Sequence, residues 1–400
     1  MANKLRGNAV VGQSGGPTAV INQSLVGVVF EASKHPQIEN IYGARHGVKG
    51  ILGEDFVDLK RESIGDLEAV ANTPASALGS VRQKPTTEEC ARIFEIFRKH
   101  DVRYFFYIGG NDSAEAASII NDLAKDAEYE FRTFHVPKTI DNDLLVSDHT
   151  PGFGSAARFI ALATMGDDCD NRSLPGIKVN ILMGRKAGFL TAATMLARQH
   201  DDDGPHLVYP PECTFSLDKF LGSVAAVYQK LGRCLVCVGE GVAEKIPEIK
   251  LQEKDSHGNV QLSGSGFFGD FLANQIKAKL GAKRVRADTY GYLQRSFAGC
   301  VSEVDAFEAR RVGEFAVRWA VAENVDGSVA IRRLGDGKDY AVDFVSTPLE
   351  TVARNTKSMP ADWLVSEQSD ISEKFRTYAL PLVGELPRQG RLAAYPIKKK

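Results

Sequence analysis

The segment Pro137-Lys138-Thr139-Ile140-Asp141-Asn142-Asp143 holds two carboxylates at i and i+2, with a hydroxyl and a lysine just before them. Activating an alcohol towards a polyphosphate requires such a set. One carboxylate accepts the hydroxyl proton, another steers metal, and a cation offsets charge on the transferred group. The alternative for the segment alone is a charged surface turn.

Two glycine pairs could hold the anion. Gly12-Gln13-Ser14-Gly15-Gly16-Pro17 leads into a helix read from about Thr18 to Ser33, and Gly109-Gly110-Asn111-Asp112-Ser113 opens another. Glycine lets backbone N–H groups close on a phosphate, and a helix N-terminus adds a positive dipole end. The first is not a Walker loop, because no Gly-Lys-Ser/Thr follows at the required spacing. In isolation each pair has a plain alternative: a bare tight turn, or an Asp serving as N-cap. Met183-Gly184-Arg185-Lys186 and the stretch Arg286 to Arg295 add arginines suited to a phosphate monoester, although a single arginine more commonly forms a surface salt bridge.

The elements that must position these groups are short apolar runs with longer amphipathic stretches between them. The runs are Ala9 to Val11, Tyr104 to Ile108, Thr133 to Val136, Val179 to Met183, Leu207 to Tyr209 and Cys234 to Val238. This alternation predicts an α/β fold. Ligands of open parallel sheets bind at the carboxyl ends of the strands, where most of the chemistry-bearing residues fall. Thr86 and Glu89 suit a capping box ahead of a helix. The polar segment Glu244 to Gly264 reads as a surface excursion.

A chain of 400 residues exceeds the roughly 250 to 300 at which a single core stops growing, so two lobes are expected. Its 49 basic and 51 acidic residues are scattered without a basic stripe, which argues against a nucleic-acid partner. No apolar run approaches the roughly 18 residues of a membrane span, and the first residues fit neither a signal nor a transit peptide. A cytoplasmic protein with a small-molecule partner and no membrane contact is expected. Cys90, Cys169, Cys213, Cys234, Cys237 and Cys300 are too sparse for a disulfide framework and read as free thiols. Cys234 and Cys237 lie in an apolar run that reads as a buried strand. Lys398-Lys399-Lys400 reads as a frayed tail.

In their order and spacing, Gly15-Gly16, Gly-Gly-Asn-Asp-Ser, Pro-Lys-Thr-Ile-Asp-Asn-Asp and Met-Gly-Arg resemble the phosphofructokinase family across most of the chain. Thr139-Ile140-Asp141-Asn142-Asp143 is the most specific mark. Leu78 to Arg82, Gly239-Glu240, Gly291-Tyr292, Gln294-Arg295, Asp305, Ala309 and Gly313 extend the match. Gly264 to Gly269 fits G-x-G-x-x-G with no strand before it, and Gly152-Phe153-Gly154 follows a loop, so neither reads as a dinucleotide site.

The resemblance implies two Rossmann-like αβα lobes with mostly parallel sheets and an active site in the cleft between them. Residues 1–150 with roughly 300–350 would form the phosphoryl-donor lobe, and 151–299 with roughly 351–400 the sugar-phosphate lobe. It implies Asp141 as general base for the 1-hydroxyl of fructose 6-phosphate, with Lys138, Thr139 and Asp143 in support. Gly15, Gly16, Arg82, Gly110, Asp112 and Ser113 would bind the donor. Met183, Gly184, Arg185, Glu240, Arg286, Tyr292 and Arg295 would bind the sugar phosphate, and Mg²⁺ would be held by Asp112, with Asn111 as a further candidate. Family members that borrow one basic residue from a neighbouring subunit imply a homodimer or homotetramer.

The donor is expected to be pyrophosphate. ATP users of the family resemble one another in having Gly-Asp-Gly-Ser where this chain has Gly110-Asn111-Asp112-Ser113, and Pro-Gly-Thr where it has Pro137-Lys138-Thr139. A carboxylate at 112 fills the space glycine leaves for a nucleotide's α-phosphate. At about 4 Å its repulsion with a phosphate charge is roughly 4 kcal/mol at an effective dielectric near 20. Lys138 would steady a transition state that lacks a nucleoside handle. The chain departs from the pyrophosphate users at Asn111, where they usually carry Asp, and in Pro17-Thr18-Ala19-Val20, where they carry Asp-Ala-Pro-Gly. Rival readings are an ATP-dependent enzyme, an inactive regulatory homologue, against which Asp141 and Asp143 argue, and a lipid or nucleotide kinase, which the sugar-pocket matches disfavour.

Overall fold

The computed structural model describes residues 5–249, 266–353, 356–365 and 369–398. Most of the expected polar excursion, the first two residues of Gly264 to Gly269, and Lys399-Lys400 lie outside the described residues.

Eleven strands occur among the described residues: β1 (Gly7–Gln13), β2 (Ile38–Ala44), β3 (Phe56–Asp58), β4 (Val102–Gly109), β5 (Arg132–Pro137), β6 (Ile177–Leu182), β7 (Leu207–Tyr209), β8 (Cys234–Gly239), β9 (Val285–Thr289), β10 (Gly327–Gly335) and β11 (Ala341–Thr347). They form a seven-stranded sheet in the order β11-β10-β5-β4-β1-β2-β3 and a four-stranded sheet in the order β7-β8-β6-β9. The small sheet is parallel throughout, and the large one is parallel except at its edges β3 and β11. The α/β expectation therefore holds. The six apolar runs are the centres of β1 and β4 to β8.

Parallel strands sheltered on both faces need apolar side chains at every position rather than at alternate ones. β8, Cys-Leu-Val-Cys-Val-Gly, is buried at each of its residues. Cys234 and Cys237 are free thiols in this strand, and burial pushes the Cys234 thiol up to about 12.

The helix Ile21–Ser33 covers one face of the large sheet and crosses the helix Glu303–Arg318 at very close range. A Cβ at Gly27 would lie 2.2 Å from the carbonyl oxygen of Arg310, and one at Gly313 would lie 2.3 Å from that of Ser24. Only glycine permits this approach of two backbones. Asp305, on the second helix, accepts from the backbone N–H groups of Gly152 and Ser155, both at 2.8 Å. It thereby satisfies donors at the start of the helix Phe153–Ser173.

The helix expected from Thr18 begins at Ile21 instead. Its first turn faces away from the phosphate cradle: Asn22 Nδ2 donates to the Thr73 carbonyl (2.9 Å), and Asn22 Oδ1 accepts from Ala77 N–H (3.0 Å) and Gln13 Nε2 (3.0 Å). The Asn22 side chain thereby ties the first turn of this helix to the loop 73–78. The capping box at Thr86 and Glu89 is present, and it opens the helix Thr87–Lys99.

Candidate active site

The carboxyl ends of β1, β4 and β5 in the large sheet, and of β6 and β8 in the small one, open onto one cleft of about 620 Å³. Loop residues on the large-sheet side are Gly15, Gly16, Arg82, Gly110 to Ser113, Lys138 to Asp141, and Asp143. Met183, Arg185, Glu240, Tyr292 and Arg295 face them. These include nearly every candidate residue named from the sequence.

Two of the sequence candidates stand apart. Gly184 does not line the cleft. Its φ of +113° makes the turn between Met183 and Arg185, and a Cβ there would meet the Ala187 carbonyl at 2.6 Å. Arg286 is absent from the cleft of its own chain. It is the second residue of β9, paired with Lys178 near the start of β6, and it is exposed. The carboxyl end of β9 is Thr289, from which the chain continues to Tyr292 and Arg295.

The first glycine turn is clasped by the segment Leu78 to Arg82. Gly15 N–H donates to the Val81 carbonyl (3.0 Å), and Ser80 Oγ donates to the Gly15 carbonyl (2.6 Å). Three cations converge on this turn. Lys138 Nζ donates to the Gly16 carbonyl (2.7 Å), while a Cβ at Gly16 would lie 3.2 Å from the Arg295 Cζ and from an Arg82 Nη. The second glycine pair ends β4, and Gly110 is the N-cap of the helix Asn111–Asp126. Asp112 is thus an exposed first-turn residue beside the cleft and not the cap itself. An anion between the two turns would meet helix N–H groups on one side and cations on the other.

Lys138 is buried, and its ammonium is held down to about 7, first by loss of water and then by repulsion from Arg295, despite attraction from Asp141 and Asp143. Arg295 is lowered to about 10 by burial and by Arg82, and its guanidinium lies 4.5 Å from the centre of the Tyr292 ring. Burial raises the carboxyls of both Asp141 and Asp143, and their mutual repulsion raises Asp143 further. Carboxyls poised above their usual range beside a depressed lysine are the electrostatic pattern of a proton-transfer site. The Asp141 N–H donates to Thr139 Oγ1 (3.1 Å), which fixes the turn into the carboxylates.

On the sugar side, Met183 N–H is held by Gln294 Oε1 (3.4 Å), and buried Glu240 follows β8. Gln83, Lys84, Lys186 and Thr356 also line the cleft without having been assigned a role from the sequence. Lys84, two residues beyond Arg82, pairs with Glu115 (2.7 Å). Proximity to the Leu78 to Arg82 match could have flagged it. Thr356 arrives through its bridge to Leu144, a pairing across more than two hundred residues that leaves no local signal.

Among the described residues, no three or more His, Cys, Asp or Glu side chains are grouped so as to cage a metal. Mg²⁺ does not need such a cage, since it is bound by one or two carboxylates plus substrate phosphates and water. Exposed Asp112 at the anion turn fits that mode. Asn111 donates its amide to the Val352 carbonyl (3.4 Å).

Two mostly parallel sheets whose strand ends share a cleft holding an anion cradle, paired carboxyls and a buried lysine define a phosphotransferase. The family model for phosphofructokinase matches residues 8–320, and the chain belongs to the phosphofructokinase family. It is 52% identical over 385 residues to a Rhodospirillum rubrum protein named pyrophosphate–fructose 6-phosphate 1-phosphotransferase, covering 95% of each chain. A Halomonas elongata protein of the same name is 37% identical, with 98% of each covered. The crystal structure of a pyrophosphate-dependent phosphofructokinase from Marinobacter aquaeolei superposes with a TM-score of 0.85 at 34% identity and 98% coverage of both chains.

Proposed function

We propose that this chain transfers a phosphoryl group reversibly from pyrophosphate to the 1-hydroxyl of fructose 6-phosphate, giving fructose 1,6-bisphosphate and phosphate. The observation that carries the reading is Lys138. Its buried ammonium touches the glycine turn opposite Asp112, so the donor side of the cleft presents a cation to a compact diphosphate and a carboxylate to anything longer. The names of the relatives at 52% and 37% identity support the same donor.

In this reading Gly15, Gly16, Gly110 and Ser113 cradle pyrophosphate, with Arg82 beside them. Met183, Arg185, Glu240, Tyr292 and Arg295 hold the sugar phosphate. Asp141 takes the proton of the 1-hydroxyl as its oxygen forms the new P–O bond and the bridging P–O bond of pyrophosphate breaks. Lys138 offsets the charge that spreads over the group in transit, and phosphate leaves. Asp143 keeps the neighbouring field negative, which makes Asp141 a stronger base, and with Thr139 it helps to place metal or phosphate. Asp112, with Asn111 as a further candidate, would hold Mg²⁺, which would supply positive charge against the phosphoryl oxygens.

Residues 1–150 with roughly 300–350 are assigned to the donor lobe and the rest to the sugar lobe, in a cytoplasmic enzyme. Arg286, remote from its own cleft, is free to serve a neighbouring one, which a homodimer or homotetramer would provide. No helix among the described residues is long and apolar enough to cross a membrane. The test is product analysis by ³¹P NMR with purified protein, fructose 6-phosphate, pyrophosphate and Mg²⁺. Fructose 1,6-bisphosphate and phosphate should appear in equal amounts, and the two supplied together should convert back to fructose 6-phosphate and pyrophosphate. Hydrolysis of pyrophosphate without sugar bisphosphate would refute the assignment.

A further inference from the structure

Asn142 lies between the two catalytic carboxylates, yet its own side chain points away from the cleft. It is buried with φ of +59°, a left-handed backbone that asparagine tolerates better than most residues. Its Nδ2 donates to Tyr378 Oη (2.8 Å) and its Oδ1 accepts from Thr150 N–H (3.0 Å). Tyr378 comes from the helix Glu373–Val383, more than two hundred residues away, and its hydroxyl donates onward to the Asp148 carbonyl (2.9 Å).

The tyrosine is itself fixed in place. The Arg333 guanidinium stacks 4.5 Å from its ring centre, bonds its carbonyl (3.0 Å), and reaches Asp148 Oδ1 (2.9 Å). From the other side, Lys357 N–H donates to the Asp143 carbonyl (2.7 Å), and its ammonium binds the carbonyls of Ser147 (2.9 Å) and Asp148 (2.6 Å). The carboxylate loop is therefore gripped from behind by the C-terminal part of the chain, which contributes little else to the cleft.

We infer that Asn142 and Tyr378 are a positioning pair: the Tyr378 hydroxyl sets the Asn142 turn and, through it, the direction in which Asp141 and Asp143 enter the cleft. The physical argument is one of tolerance. Two adjacent carboxyls on a loop serve different roles only if their directions are fixed, and a misplacement of about 1 Å can cost on the order of a hundredfold in rate. A hydrogen bond to the left-handed residue between them controls both directions at once. The inference rests on Asp141 being the base.

The experiment uses the full chain with Tyr378→Phe, which keeps the ring and its stack on Arg333, and Asn142→Gly, which keeps access to the left-handed backbone. Each variant should lower kcat by at least tenfold, with both KM values within about twofold of the parent. The double variant should lose no more than the worse single one, as residues acting as a unit do. A Tyr378→Phe enzyme with parental kcat, or losses that multiply in the double variant, would overturn the pairing. If Tyr378→Phe fails to fold, Asn142→Gly decides alone on the same kcat criterion. Asp141→Ala is measured beside them. If it too retains activity, the base assignment fails. If it is inert while Tyr378→Phe is silent, only the positioning pair is lost.

Discussion

Replacing Lys138 by arginine should remove the alkaline limb of the donor's pH profile. Burial and repulsion from Arg295 hold the Lys138 ammonium down to about 7, against an ordinary 10.5. At 1.36 kcal/mol per pH unit, holding that charge costs roughly 5 kcal/mol before any anion arrives. A bound diphosphate supplies the missing counter-charge and draws the value back up, so donor binding takes up a proton above pH 7. The sign follows from this. At pH 6 most of the free enzyme already carries the charge, whereas at pH 8 only about a tenth does, and kcat/KM for pyrophosphate should fall about tenfold per pH unit beyond that point. Arginine at 138 cannot lose its proton under these conditions. Its absolute activity will be lower, but the ratio of parent to variant cancels the ionisation of the substrates themselves. The assay is kcat/KM for pyrophosphate from pH 6 to 9 at saturating sugar phosphate. An identical alkaline limb in Lys138→Arg would show that some other group causes it.

The acid limb should belong to the carboxyls. Because burial raises Asp141 and Asp143, kcat is expected to decline as pH falls, at a pH above the usual carboxylate window. Asp141→Ala should cost several orders of magnitude in kcat with modest change in KM, and a loss under tenfold would remove it as base. Asp112→Gly combined with Lys138→Gly should shift the ratio of donor specificities towards ATP, and an unchanged ratio would count against the electrostatic argument. Gly313→Val drives a side chain into the Ser24 carbonyl and should lower stability by about 2 to 3 kcal/mol, read as a lower denaturant midpoint at unchanged slope.

The chemistry was legible where it is local. Lys138, Thr139, Asp141 and Asp143 sit on one short loop, and strand-to-loop placement alone brings them to a cleft. The six buried runs were legible for the same reason, since parallel strands sheltered on both faces are continuous apolar blocks. β9 was not, because in Val-Arg-Ala-Asp-Thr only Val285 is buried and two exposed charged residues interrupt the run. Arg286, expected in the sugar-phosphate pocket, is the second residue of this strand and does not line the cleft of its own chain. The first helix starts at Ile21 and not at Thr18, and the Asn22 and Gln13 side chains tie its first turn to the loop 73–78, a contact across some fifty residues that leaves no local signal. The grip of Tyr378 and Lys357 on the carboxylate loop depends on contacts across more than two hundred residues, which no spacing rule can register.

Donor preference tests the central claim most directly: kcat/KM for pyrophosphate and for ATP, measured on the same preparation with fructose 6-phosphate and Mg²⁺. A carboxylate at 112 set against a buried ammonium at 138 predicts preference for pyrophosphate by about a thousandfold. Equal or better turnover with ATP would contradict the account.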